Sequence, residues 1–208
     1  MLRRREAVSS LFGLALSSCV SFSRLNPFGP APSYRWVALR LVGKKTGDVV
    51  IELSDRAPEH CRNFSRLVSA KFYEGLGIHR VVEGRYIQTG DPLSRKQSTR
   101  VMGTGGPGYT LSAEIGLKHV RGAVAMSRLA DAVNLGQRSN GSQFFFVLND
   151  APDLDGRNTV FGMVVRGIEF LDEISVLPVN GLGAPIDAVR IKRVRGSDVS
   201  AEDAIRQL

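Results

Sequence analysis

Between residues 36 and 194 the chain carries eight runs of five to seven residues rich in apolar, β-branched and aromatic side chains: WVALRLV, DVVIEL, IHRVV, RYIQT, GAVAMS, QFFFVL, VFGMVV and AVRIKRV. Gly, Pro, Asn and Asp punctuate them, and runs of this kind between turn formers read as strands. WVALRLV and DVVIEL, joined by GKKTG, read as a hairpin. Only two stretches have helical spacing. One is Pro58–Ser69, where Ala57, Cys61, Phe64, Leu67 and Val68 recur at the helix period and Pro58 sits in the first turn. The other is Ile168–Ser175, with a modest apolar stripe through Ile168 and Leu171. Many short strands and two helices argue for an all-β sandwich or barrel, with the helices over its open ends.

The 208 residues are enough for one domain with a substantial core. An excess of 28 Lys+Arg over 20 Asp+Glu gives a charge of +8, but no basic run is interleaved with stacking aromatics, so nucleic acid is not an expected partner. The densest basic cluster, Arg3 to Arg5, instead opens a three-part export signal: MLRRRE, an apolar run over 7–16, and small residues leading to Cys19. That run is too short to span a membrane as a helix. Leu16-Ser17-Ser18-Cys19 resembles the lipobox of bacterial lipoproteins, which implies cleavage before Cys19 and a lipid on its sulfur. A plain secretory signal, giving a soluble periplasmic or secreted protein, and an uncleaved anchor are the alternatives. The expected organisation is therefore a signal over 1–18, a Ser/Pro/Gly linker over 19–34, a folded domain over 35–196 and a C-terminal tail over 197–208. A lipidated Cys19 leaves Cys61 without a disulfide partner, and its helical setting marks it as a buried small hydrophobe.

Four segments, FYEGLGIHRVVEGRYIQTGDP, GTGGPGYTLSAE, LKHVRGAVAMSR and SNGSQFFFVLNDAPDLDGRNTVFGMVVRG, resemble the cyclophilin family of peptidyl-prolyl cis-trans isomerases, in the family's order over about residues 37–195. The resemblance implies an eight-stranded closed antiparallel β-barrel capped by two helices, with a proline-binding groove on its outer face. Together with the lipobox it implies a bacterial-like member, working as a monomer on unfolded or loop prolines of exported proteins, on the periplasmic side of a membrane.

Rotation about a peptide bond crosses a barrier of about 18–20 kcal/mol, and X-Pro isomerisation is correspondingly slow. No bond is broken, so the chemistry needs no nucleophile, metal or cofactor. It needs a site that binds the twisted amide better than either planar form. Twisting makes the proline nitrogen a hydrogen-bond acceptor, and a fixed guanidinium beside it finds its best partner only there. By resemblance Arg80 is that catalytic arginine. Gln88 binds the substrate backbone, and Phe145 forms the floor of the proline pocket, with Phe144 and Phe146 pointing to the opposite face of the strand. Gln143 and Met126 match further groove positions, Leu154 and Phe161 match pocket walls, and Asn158 stands where the family often has a substrate-contacting histidine.

Two positions depart from the family. Arg85 replaces a phenylalanine that packs on the proline ring, with Tyr86 beside it in the place of a methionine. Asp153 replaces a tryptophan that, in eukaryotic members, lines the groove and helps bind cyclosporin, so weak inhibition by that drug is expected. A rival reading follows from them: a weakly active or non-catalytic chaperone that binds proline segments. The segment LADAVNLGQRS forms a longer loop beside the groove than the short family form. His60, His79, His119 and Cys61 lack the compact spacing of a zinc site, GTGGPG lacks the Lys-Ser/Thr of a phosphate loop, and Ser139 and Ser142 lack the partnered order of a hydrolase triad.

Overall fold

The computed structural model describes residues 33–96 and 102–208. Cys19 and the proposed signal lie outside the described residues. Among the described residues nine strands form one antiparallel sheet: β1 Trp36–Val42, β2 Thr46–Leu53, β3 Arg80–Val82, β4 Tyr86–Thr89, β5 Thr110–Leu111, β6 Ala123–Arg128, β7 Ser139–Val147, β8 Val160–Arg166 and β9 Arg190–Ser197. All eight runs read from the sequence are strands. The two-residue β5 is additional, and it pairs with β7 beside the main path.

That path runs β3-β4-β7-β6-β8-β2-β1-β9, so the sheet curls without closing into the expected barrel. Among the described residues β3 does not pair with β9; the segment just before β3 meets β9 through an isolated bridge, Gly77 to Arg190, and loop hydrogen bonds such as Ile78 N–H to Val189 C=O at 2.8 Å. β3 is three residues long, too short to reach β9 as a paired strand. The architecture is a curled, open half-barrel with helices.

Alternation decides what lies inside. Val37, Leu39 and Leu41 of β1, Val49 and Ile51 of β2, and Phe144 and Phe146 of β7 point inward to the main core. Helix α1, Pro58–Ser69, contributes Phe64, Leu67 and Val68 to this core, and α2, Ile168–Ser175, contributes Leu171 and Ile174. Phe64 packs with ring centroids 5.1–5.2 Å from Tyr73, Phe144 and Phe161. Gly167, at φ +86°, opens α2 where a Cβ would collide with the Asp48 carbonyl.

The tail over 197–208 contains a third helix, α3, Ala201–Arg206, which covers the outer face of β1 and β2. Ala204 and Leu208 bury Ala38 and Val50 there, which explains why neighbouring residues on both faces of these strands are apolar. Ser200 caps α3 by accepting the Asp203 N–H at 3.0 Å. Among the described residues no helix is long and apolar enough to cross a membrane.

Candidate active site

Cross-strand register builds the site on the outer face. Arg80 on β3 stands opposite Gln88 on β4, Gln88 opposite Phe145 on β7, and Phe145 opposite Ala125 on β6. Directly opposed residues share a face, so these four form one row. The neighbouring row, Val81, Ile87, Phe146 and Val124, points into the core. A one-residue slip of any strand would exchange the two. Gly90, at φ +91°, ends β4 against β7, where a Cβ would collide with the Ser142 carbonyl.

A cleft of about 330 Å³ lies over the outer row. Arg80, Tyr86, Gln88, Phe145, Leu154 and Asn158 line it, so six of the expected site residues converge. Its apolar floor is Phe145, packed among Ala123, Ala125, Val147, Ala151 and Val160 with Tyr86 and Leu154 at the margin. The Tyr86 ring lies 5.4 Å from that of Phe145, and His119 stacks on Phe145 at 6.2 Å. Asp155 holds His119, accepting its backbone N–H at 2.8 Å and meeting Nδ1 at 3.0 Å; these bonds keep the Asp155 carboxyl below its usual range. The Arg80 guanidinium carbon sits 5.5 Å from the centre of the Tyr86 ring, a cation-π seat that positions it over the cleft.

The glutamines are oriented by a chain of constraints. Gln143 Nε2 reaches the carbonyl oxygens of Gly103 at 3.0 Å and Gly105 at 2.7 Å, which can only accept. Gln143 Oε1 must therefore face Gln88, whose Nε2 donates to it at 2.9 Å and to Ser127 Oγ at 3.1 Å. Both Gln88 amide hydrogens are thus engaged, and its Oε1 keeps its acceptor capacity. Gln143 acts behind Gln88 rather than in the cleft lining.

Met126 and Phe161 do not join the site. Met126 pairs in register with Phe144, and Phe161 follows the outward Val160, so both point inward, 1% and 0% exposed, into the main core. Met126 serves only through its carbonyl, which accepts from Asn158 Nδ2 at 2.9 Å. Arg85 is not a pocket wall either. Its guanidinium pairs with the Asp153 carboxylate, so the two departures from the family pattern meet each other at the cleft's edge, their side chains 44% and 59% exposed. Tyr86 supplies the aromatic surface that position 85 lacks.

Ser127, Arg128 and Arg157 also line the cleft and were not foreseen. The longer loop brings Leu129 to Asp131 there. Arg157 joins through an ion pair across 26 residues, a separation that leaves no local signal.

His60 and His79 are buried outside the cleft, and His60 has a structural role. His60 Nδ1 lies 2.5 Å from Glu114 and Nε2 lies 2.9 Å from Ser139 Oγ, while Glu114 also accepts the N–H groups of Glu59 and His60 at the start of α1. The connectivity is that of a hydrolase triad, but His60 and Ser139 are both buried and the network ties α1 to β7. Burial lowers the pKa of His60 despite Glu114, and burial likewise lowers that of His79 despite Asp91. Cys61 donates to the carbonyls of Ser54 and Phe161 at 3.0 and 3.2 Å, and burial pushes its thiol up to about 12, an inert state. Cys61 borders a larger cleft of about 990 Å³ near Tyr34, Arg35 and Glu52. That cleft holds an Arg35–Glu52 ion pair and none of the Arg80 row, so size does not identify the site. Among the described residues no three His, Cys, Asp or Glu side chains are grouped to hold a metal ion.

Residues 39–196 match the family described as cyclophilin type peptidyl-prolyl cis-trans isomerase/CLD. Peptidyl-prolyl cis-trans isomerase-like 3 of Gallus gallus is 41% identical over 153 residues, covering 71% of this chain and 89% of that protein. The crystal structure of a cyclophilin type peptidyl-prolyl cis-trans isomerase from Cryptosporidium parvum superposes with a TM-score of 0.67 at 29% identity, covering 77% of this chain and 96% of that one. Its structure in the presence of the dipeptide Ala-Pro gives 0.66 at 30%, covering 76% and 96%. These relatives come from eukaryotes rather than bacteria.

Proposed function

The chain belongs to the cyclophilin-type peptidyl-prolyl cis-trans isomerase family, and we propose that Arg80, Gln88 and the Phe145–Tyr86 pocket carry its isomerase activity. The observation behind this assignment is the register row that sets Arg80, Gln88 and Phe145 side by side over one cleft.

A proline ring seats on Phe145 between Tyr86 and Leu154. Gln88 Oε1 accepts a backbone N–H of the substrate, fixing the chain on one side of the X-Pro bond. Rotation then carries the free end past Arg80. As the amide loses conjugation its nitrogen gains a lone pair, and the Arg80 N–H groups donate to it, an interaction weak in either planar form and strong at the twisted one. Asn158 remains a donor or acceptor at the cleft rim, although one of its amide hydrogens is spent on Met126 O. Arg80→Ala tests the assignment: proline-peptide isomerisation should collapse while peptide binding persists. Wild type and variant isomerising equally slowly while both bind would instead favour a non-catalytic binding protein.

The substrates we propose are unfolded or loop prolines, as the Ala-Pro dipeptide with the Cryptosporidium relative supports. We further propose a monomer that is exported and lipid-anchored through Cys19 on the periplasmic side of a bacterial membrane, with residues 1–18 removed and a linker before the domain. The support is the pattern Leu16-Ser17-Ser18-Cys19 behind a basic, then apolar, segment. Cys19→Ala should abolish lipid labelling and release the protein from membranes; unchanged labelling would sink the anchor.

A further inference from the structure

Among the described residues three arginines and one aspartate line the cleft: Arg80, Arg128, Arg157 and Asp131. Asp131 is shared between two of them, one oxygen 2.6 Å from Arg128 Nη2 and the other 2.8 Å from Arg157 Nη2. One carboxylate cannot neutralise two guanidinium groups. Arg80 has no carboxylate partner among the described residues; its neighbour is the uncharged Tyr86 ring. The Arg85–Asp153 pair at the edge is neutral as a unit. The cleft therefore carries an excess of positive charge on both the Arg80 side and the Arg157 side.

Arg128 adds an independent observation. Its side chain is 7% exposed, and its Nε is buried with no hydrogen-bond acceptor, although Nη1 and Nη2 are engaged by the Leu129 carbonyl and Asp131. That Nε is closed to any ligand, so Arg128 contributes to the cleft through its charge, which Asp131 shares with Arg157, rather than through a free donor. The loop that carries Asp131 is also pinned in place. Asn134 bonds the Arg138 backbone in both directions at 2.8 and 3.0 Å, and the Arg138 guanidinium grips Thr110 and Ser112 at 2.7–3.1 Å.

We infer that this arginine rim makes the cleft select proline segments with an aspartate or glutamate next to the proline, and reject those with lysine or arginine there. The inference rests on the isomerase reading above. Arg128 and Arg157 are the specificity-determining residues, and Asp131 sets how much of their charge a substrate meets. Such a rim acts on choice of substrate rather than on the bond rotation, which remains with Arg80.

The test is isomerisation by the full chain of peptides that differ only in Glu, Gln or Lys immediately before or immediately after the proline, at low and at high salt. Glu peptides should exceed Lys peptides in kcat/KM by about fivefold or more at one of the two positions at low salt. High salt should move the ratio toward one. Arg157→Gln should lower the Glu-to-Lys ratio, Arg157→Lys should largely keep it, and Asp131→Asn should raise it. Equal turnover of Glu and Lys peptides at both positions, with the Gln peptide still isomerised, overturns the selectivity and leaves the isomerase standing. If no peptide is isomerised, the catalytic reading falls, and NMR titration of the same peptides decides the selectivity alone: tighter Glu binding supports it and equal binding overturns it.

Discussion

Truncating Tyr86 to alanine separates this account from one in which position 85 forms the pocket wall. The Tyr86 ring makes two contacts that alanine cannot: the ring of Phe145 at 5.4 Å and the guanidinium of Arg80 at 5.5 Å. An aromatic pair contributes about 0.5–1.5 kcal/mol beyond burial. A cation-π contact at an exposed site adds about 0.5–1 kcal/mol. If both serve the transition state, the loss is about 1–2.5 kcal/mol, or roughly 5- to 70-fold in kcat/KM. Tyr86→Phe keeps both ring contacts and should stay within about twofold of wild type. Arg85→Ala removes only a solvent-exposed ion pair with Asp153, worth about 0–1 kcal/mol, and should change activity little. The assay is coupled isomerisation of a proline peptide, with thermal unfolding recorded for each variant. Tyr86→Ala at wild-type activity, or Arg85→Ala more damaging than Tyr86→Ala, would refute the assignment of the aromatic wall.

Cyclosporin should inhibit weakly, because an exposed carboxylate, Asp153, stands where the family's drug-binding tryptophan is expected and is paired with Arg85; submicromolar inhibition of the purified protein would contradict this. Stability should fall as pH drops below 6.5. Burial depresses the pKa of His60 and His79 from that value in the fold, so the unfolded chain binds more protons there. The stabilisation is complete above 6.5 and is lost as pH falls through it toward the folded pKa values. Urea midpoints measured from neutral pH downward should show the decline, and His60→Gln should flatten it; midpoints unchanged across that range would rule it out.

How much of this could be read beforehand depends on whether the information is local. The eight strands were legible because each is a short apolar run between turn formers, and the inward-outward split of Phe144, Phe145 and Phe146 follows from the two-residue period alone. The open seam was not legible, since it turns on how far β3 extends, which depends on a partner more than 100 residues away at Arg190. Helix α3 did have a signal: Ser200 followed three residues later by Asp203 is a capping pattern, but the helix it opens buries little beyond Ala204 and Leu208. Arg80, Gln88, Tyr86 and Phe145 came from the resemblance and meet in the cleft. Met126 and Phe161 came from it too, and strand parity turns their side chains inward. The Arg85–Asp153 pair joins residues 68 apart, and the His60–Ser139 contact joins residues 79 apart. Nothing in either local sequence announces its partner.

The most direct test of the central claim compares wild type with Arg80→Ala, and with Arg80→Lys, in proline-peptide isomerisation, with peptide binding followed by NMR on the same samples. Arg80→Ala should bind peptide nearly as well as wild type but lose about two to three orders of magnitude in kcat/KM, as removal of a single transition-state hydrogen-bond donor does elsewhere. Arg80→Lys should recover only part, because an ammonium lacks the planar fork seated on Tyr86. Catalysis by Arg80→Ala within a few-fold of wild type would show that the guanidinium over this cleft does not stabilise the twisted amide.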